Sequence, residues 1–267
     1  MEAYTGFAKV YDEFMDNIDY SKWCNYLVEL LHENNIKDVT IAELGCGTGN
    51  VTQILSQHGY NVIGIDISQE MLETASEKLY ETDTCSDSED EAGKKGQIVY
   101  VCQDMRELEL PCKVSAMVSI CDSINYITEY EELVEIFKKV KKYLKDNGIF
   151  IFDIKTAKYF SDIGESIIAE DREECSFIWD NYFDENDNIN EYCLSLFVRG
   201  KDGRYDKFTE YHYQRAYLIE EIKTAAAAAK LTVDHMYNAF TKSTASEDND
   251  RIYVILKNQI KETSCKG

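Results

Sequence analysis

Glu43-Leu44-Gly45-Cys46-Gly47-Thr48-Gly49 follows the short apolar run Val39-Thr40-Ile41-Ala42 and precedes a helical pattern near 49–58. A glycine-rich turn between a strand and a helix lies, in a parallel α/β sheet, at the carboxyl ends of the strands, where ligands bind. Glycines there let the chain bend tightly and come close to a ligand. A second strand, Asn61-Val62-Ile63-Gly64-Ile65-Asp66, ends in an acid 21 residues after Gly45. An acid at that place can accept hydrogen bonds from both ribose hydroxyls, so the expected ligand is a nucleoside. A dinucleotide fingerprint asks for a small residue where Asn50 stands. An acid two places before the loop also suits a cationic ligand better than a pyrophosphate.

Working outward, Ser68 is a candidate N-cap for a helix over 69–80. Strand character returns at 98–101 and 114–120. Thr128-Glu129-Tyr130-Glu131 fits a capping box. The helix behind it carries Leu133, Ile136, Phe137, Val140 and Leu144 on one face. Asn147-Gly148 then turns the chain into a strand at 149–153. Apolar strands alternating with helices imply a doubly wound, mostly parallel α/β sheet, with seven strands once those expected near 231–237 and 251–257 are added. Between them, 160–218 reads differently. Trp179–Phe183, Tyr192–Val198 and Phe208–Tyr213 alternate as short antiparallel strands, with turns at 186–188 and 201–203. Upstream, 3–33 reads as helical: Tyr4, Phe7, Ala8 and Tyr11 share one face, and Trp23, Tyr26, Leu27, Leu30 and Leu31 another. The expected organisation is an N-terminal helical cap (1–35), an α/β core (36–159 and 219–260) and an antiparallel β insertion (160–218) serving as a substrate lid.

Composition narrows the function. The chain has 267 residues, 44% hydrophobic and 12% aromatic, which excludes a disordered chain. Lys and Arg total 28 against 50 Asp and Glu, a net charge of −22, so non-specific binding to phosphate backbones is not expected. No apolar run is long enough to span a membrane, and no secretory signal is visible. Nine cysteines, an odd number without a CxxC pair, give no metal-ligand spacing. They read as reduced thiols of a cytoplasmic protein. The tract 81–97, with six acids by position 91, reads as a mobile surface loop.

The segment 43–49 is similar to motif I of class I S-adenosylmethionine (SAM)-dependent methyltransferases. Asp66 looks like their ribose-binding acid, and Gln103-Asp104-Met105 looks like the segment whose Asp and following amide hold adenine. The resemblance runs from about 39 to 154. More narrowly, Tyr4-x-x-Phe7-Ala8-x-x-Tyr11-Asp12 with Trp23, and Glu210-Tyr211-His212-Tyr213-Gln214-Arg215, resemble a small bacterial subgroup, most of whose members lack an established substrate. The resemblance implies a SAM site of Tyr11, Trp23, Glu43, Gly45, Cys46, Gly47, Asp66, Ile67, Met71, Asp104, Met105 and Cys121, with no metal.

For the acceptor side, the expected catalytic residues are Tyr11, Asn125, His212 and Arg215. Each has a plainer reading. Tyr11 and Trp23 sit at ordinary core spacing on amphipathic helices. Cys121-Asp122-Ser123-Ile124-Asn125-Tyr126 follows the fourth strand and opens over the expected methyl position, yet its Asp and Asn also suit local caps. His212, Gln214, Arg215 and Tyr217 are expected to share one strand face, either holding an anionic acceptor, with His212 taking a proton, or forming a solvated or internally paired row. Sugar N-methyltransferases with a similar tyrosine motif carry a histidine in the loop after the fourth strand; this chain has no histidine between 59 and 211. Cys46 reads as a small filler. The stretch 165–191, with ten acids and one Arg, reads as a solvated face or a steering field for a cationic acceptor.

The expected function is therefore methyl transfer from SAM to the nitrogen or oxygen of a small-molecule acceptor, by a monomer or homodimer. The alternatives are a non-catalytic SAM-sensing or partner-binding module, and a methyltransferase acting on protein or RNA. Asn50 and the absence of a second nucleotide half argue against a nicotinamide-dependent oxidoreductase.

Overall fold

The computed structural model describes residues 10–16, 18–37, 39–84 and 95–259. Numbered along the chain, β1 (Thr40–Leu44), β2 (Asn61–Asp66), β3 (Ile98–Cys102), β4 (Val114–Ser119) and β5 (Leu144–Lys155) begin one sheet. The chain then leaves it for β6 (Ser166–Asp171), β7 (Cys175–Asp184), β8 (Ile189–Arg199) and β9 (Tyr205–Arg215), and returns for β10 (Thr232–Asn238) and β11 (Arg251–Lys257). The first sheet has the order β10-β11-β5-β4-β1-β2-β3, and the second the order β6-β7-β8-β9. Pairing is parallel from β3 to β5 and antiparallel at β11, whereas the second sheet is antiparallel throughout. The expected doubly wound sheet with an antiparallel insertion is thus the observed architecture. The chain reverses direction across the sheet between β1 and β4, and the cleft opens at that switch point.

Helices cover both faces because the strands are apolar on both faces. On one side, α2 (Tyr20–Glu33) and α3 (Asn50–Gln57) bury Leu27, Leu30, Leu31, Val51 and Leu55 against Ile41, Val62 and Ile151. On the other, α5 (Tyr130–Tyr143) and α7 (Ile219–Ala228) bury Leu133, Phe137, Val140, Ile222 and Ala225 against Phe150, Phe152 and Val254. The remaining helices are α1 (Tyr11–Phe14), α4 (Gln69–Thr84) and α6 (Ala157–Ile163). Ser68 caps α4 as expected, its Oγ accepting from the Met71 amide at 3.2 Å.

Several expectations are corrected. The continuous helical reading of 3–33 breaks between α1, which ends at Phe14, and α2, which Asp19 caps by accepting from the Lys22 amide. Glu129, not Thr128, occupies the N-cap of α5, and no side chain bonds there. β6 was hidden in the acidic 165–191 stretch: its Ile167 and Ile168 are exposed on an edge strand, so burial left no clean alternation. Tyr4, Phe7, Ala8 and the centre of the acidic tract, 85–94, lie outside the described residues.

Candidate active site

The carboxyl ends of β1, β2 and β4 surround a cavity of about 240 Å³. Its floor is the glycine turn. Gly45 has φ +73°, and a Cβ there would stand 2.5 Å from Ser123 Oγ. Gly49 has φ +75°, and a Cβ would stand 2.3 Å from the Tyr100 hydroxyl. Both positions therefore exclude a side chain by backbone conformation and by space. Gly47, at φ +53°, has open space where its Cβ would project. The Gly45 and Cys46 amides donate to Ile65 O at 2.8 and 3.0 Å, locking the turn to the end of β2.

Asp66 stands beside it. Its two carboxylate oxygens accept from the Gly47 amide at 2.7 Å and the Ser68 amide at 2.9 Å. Burial raises its pKa, and those amides oppose the shift. Glu43 lies deeper, with Thr52 donating to it at 2.5 Å. Burial pushes its carboxyl up to about 8, against the Thr52 hydrogen bond and with help from the nearby Asp66 charge. Ile67, Met71, Cys46 and Met105 complete this wall. Asp104 caps a short 3-10 turn, accepting from the Arg106 amide at 2.8 Å and pairing with the Arg106 guanidinium at 2.6 Å. Partial burial works to raise the Asp104 carboxyl, but Arg106 outweighs it and holds it low.

Beyond β4 the backbone is strained: Cys121 and Asp122 sit at φ 63° and 57°, in the left-handed region that costs ordinary residues free energy. A buried ion cluster holds them. Asp122 accepts from Arg251 at 2.9 Å, Lys155 at 3.0 Å and Gln214 at 2.8 Å, while its amide meets Asp153, which Arg251 also bonds. Burial would raise both carboxyls. At Asp122 the Lys155 and Arg251 charges overcome it, whereas at Asp153 burial prevails. The chain then forms a 3-10 turn, Ser123–Tyr126. Three residues per turn place positions i and i+3 on one side, so Ser123 and Tyr126 line the cleft while Ile124 and Asn125 are buried behind it.

Asn125 is accordingly not brought to the cleft. Its amide donates to Lys155 O at 3.0 Å and Arg215 O at 2.8 Å, and its oxygen accepts from the Lys155 amide at 2.9 Å. It clamps β5 to β9. Trp23 also points away, packing edge-on to Phe240 at 5.1 Å, with Arg251 over its ring. Tyr11 lines the cleft, as does Tyr20, which sequence reasoning missed. Tyr20 hydrogen-bonds with Tyr11 and Asn50, and burial, with the nearby Cys121, pushes its pKa up to about 12.

On β9 the expected shared face separates. Glu210, His212 and Gln214 alternate inward, whereas Arg215 falls on the opposite parity. Arg215 bonds Thr128 O at 3.1 Å and Glu221 at 2.7 Å, tying β9 to α7. Neither it nor His212 lines the cavity. His212 is nevertheless one residue removed. Its Nδ1 lies 3.3 Å from the Tyr126 hydroxyl, its Nε2 lies 3.2 Å from Glu210 Oε2, and its ring stacks on Tyr192 at 4.6 Å. Tyr192 and Tyr126 share a 2.6 Å hydroxyl contact. Tyr126, within the stretch singled out from sequence, is the member of that loop that reaches both the cavity and the second sheet.

Among the described residues no group of three or more His, Cys, Asp or Glu is placed to hold a metal. No helix there is long and apolar enough to cross a membrane.

Residues 42–152 match the Methyltransferase domain family. The chain is 32% identical to YqeM of Bacillus subtilis (strain 168), named as a candidate methyltransferase, over 94% of this chain and 95% of that one. A crystal structure of a S-adenosylmethionine-dependent methyltransferase from Clostridium acetobutylicum ATCC 824 superposes with TM-score 0.80 at 30% identity, covering 97% of this chain and all of the other. A Streptomyces venezuelae protein, dTDP-3-amino-3,4,6-trideoxy-alpha-D-glucopyranose N,N-dimethyltransferase, is 22% identical over 86% of this chain and 91% of its own. The fold and the glycine cleft thus define a class I nucleoside-cofactor enzyme. The chain belongs to the SAM-dependent methyltransferases, and its cofactor is SAM.

Proposed function

We propose that this methyltransferase acts on a nitrogen or oxygen of a small-molecule acceptor, which enters between the cofactor cleft and the inner face of the β6–β9 sheet. The observation that carries the reading is Tyr126: it faces the cleft and is joined to His212 and Glu210 behind it. The Streptomyces venezuelae relative, whose name gives an aminosugar nucleotide as its substrate, supports a small acceptor.

The cofactor residues fit their task. Gly47 leaves space above the turn, Asp66 presents a carboxylate to a diol, and Met105 with Asp104 borders the next stretch of wall. Glu43, whose burial favours its neutral form, gains stabilisation of its charge when a cation lies near. Bound SAM supplies an electrophilic methyl carbon on a sulfonium. This chain's residues supply alignment and water exclusion. Tyr126 orients the acceptor heteroatom and takes its proton as its own passes to His212 Nδ1, with Glu210 stabilising the imidazolium. Asn125 and the Asp122 cluster hold that loop in place.

The test is to incubate the enzyme with SAM and extracted metabolite pools and to seek masses raised by one methyl group. A methylated metabolite, lost with Tyr126→Phe, is expected. Methyl label entering only protein or RNA fractions would overturn the small-molecule reading.

A further inference from the structure

The short helix α1 touches both halves of the molecule. Its Phe14, with Val10 just before it, packs into the apolar face of the second sheet, with Cys175, Tyr192, Leu194 and Leu196. Phe14 meets Phe177 edge-on at 4.8 Å, and Arg172, in the turn between β6 and β7, bonds Asp16 at 2.9 Å. The other side of α1 faces the cofactor turn. There the Asp12 carboxylate accepts from Thr48 Oγ1 at 2.7 Å, Asn50 Nδ2 at 2.8 Å and Lys78 Nζ at 2.8 Å, and Lys78 also donates to Asn50 Oδ1 at 2.7 Å. Thr48 and Asn50 flank Gly49 in the turn itself, and Lys78 comes from α4, the helix after Asp66.

We propose that Asp12 is a positioning residue of the cofactor site: it pins α1 across the glycine turn, so that cofactor binding and the seating of α1 on the second sheet are one coupled event.

Three donors from two separate segments converge on one carboxylate. A four-residue helix has too little of its own hydrogen bonding to hold its place, so these contacts, with Phe14 and Val10, fix it. Burial works to raise the Asp12 carboxyl, but the bonds from Lys78, Asn50 and Thr48 outweigh it and hold it low, so the charged form is the bound one. Tyr11, next in the chain, lines the cavity. A ligand that holds Thr48 and Asn50 in their present places therefore favours the seated α1, and by reciprocity a seated α1 favours the ligand. The Asp12–Lys78 pair alone, partly exposed, would contribute little; the convergence on the turn is what gives it leverage. The inference rests on the cofactor, which is established, and not on the nature of the acceptor.

The probe is S-adenosylhomocysteine, the demethylated product, titrated calorimetrically into the full chain. Asp12→Ala and Lys78→Ala are expected to weaken binding, Asp12→Ala by about tenfold. The double variant should be no weaker than Asp12→Ala, because both changes break one unit. Melting temperature without ligand should move by no more than about 2 °C. In the wild type the ligand should slow amide hydrogen exchange over residues 10–16, and in Asp12→Ala it should not. Because Asp12→Ala can loosen its neighbours, Asp12→Asn is read alongside, keeping size and removing charge, with an intermediate loss expected. Wild-type affinity in both Asp12→Asn and Lys78→Ala, or losses that simply add in the double variant, would overturn the proposal. So would a fall in melting temperature with unchanged ligand protection of 10–16.

Discussion

Asp66 holds two backbone amides, one from the glycine turn and one from the start of α4, and so shapes the turn while facing the cleft. Removing its carboxylate should weaken SAM binding by about 1.5–3 kcal/mol, the usual worth of hydrogen bonds to a charged group. Glu43 makes a different prediction. It ionises near 4.5 in an unfolded chain and at about 8 in the fold. Over that window the folded state keeps a proton that the unfolded state has lost. The stability tied to its neutral form is thus complete below about pH 4.5 and drains away as pH rises to about 8. Glu43→Gln lacks this dependence. Its melting temperature, relative to the wild type, should climb between about pH 5 and about pH 8. A pH-independent difference in thermal scans would show that Glu43 is ionised throughout.

At the scale of elements, the loop after β4 is held by charge rather than by apolar packing. Arg251, from β11, reaches both Asp122 and Asp153, neither of which is exposed. Arg251→Met would leave the buried Asp153 without its main counter-charge and Asp122 with Lys155 alone, and a loss of about 3–5 kcal/mol in denaturant unfolding is expected. A loss below about 1 kcal/mol would mean that Lys155 suffices. This cluster was not legible in the sequence, since it draws on three separate stretches, Asp122, Asp153 with Lys155, and Arg251, and nothing local pairs them. The strand–turn–helix frame was legible, because hydrophobic period and glycine placement are local signals. The same holds for the lining of the glycine cleft, where Glu43, Gly47, Asp66 and Asp104 follow from motif spacing. Asn125 and Arg215 misled for a geometric reason. A 3-10 turn and a two-residue strand period decide which side chain faces the cleft, and both make adjacent residues point apart. Tyr126 and Glu210 were within reach of that parity argument, whereas Tyr20 needed the break between α1 and α2 to be seen.

Among the described residues, the two sheets are joined across α1 and the β9–α7 connection. The wall of the cleft is drawn from β1, β2, β4 and the turn after β3, whereas Tyr126, His212 and Glu210 span both sheets. Cofactor binding and acceptor handling should then be separable. His212→Ala should leave SAM affinity within about twofold while turnover of the eventual acceptor falls. Parallel losses of SAM affinity and melting temperature would make His212 a packing residue alone. The glycine cleft as the SAM site is tested most directly by one calorimetric series: SAM, S-adenosylhomocysteine and NAD titrated into the wild type and into Asp66→Ala. The expected result is binding of SAM and its product, none of NAD, and a loss of SAM affinity in Asp66→Ala, whose melting temperature falls by a few degrees at most as the Gly47 and Ser68 amides lose their acceptor. SAM binding unaffected by Asp66→Ala would contradict it, because the nucleoside would then lie elsewhere.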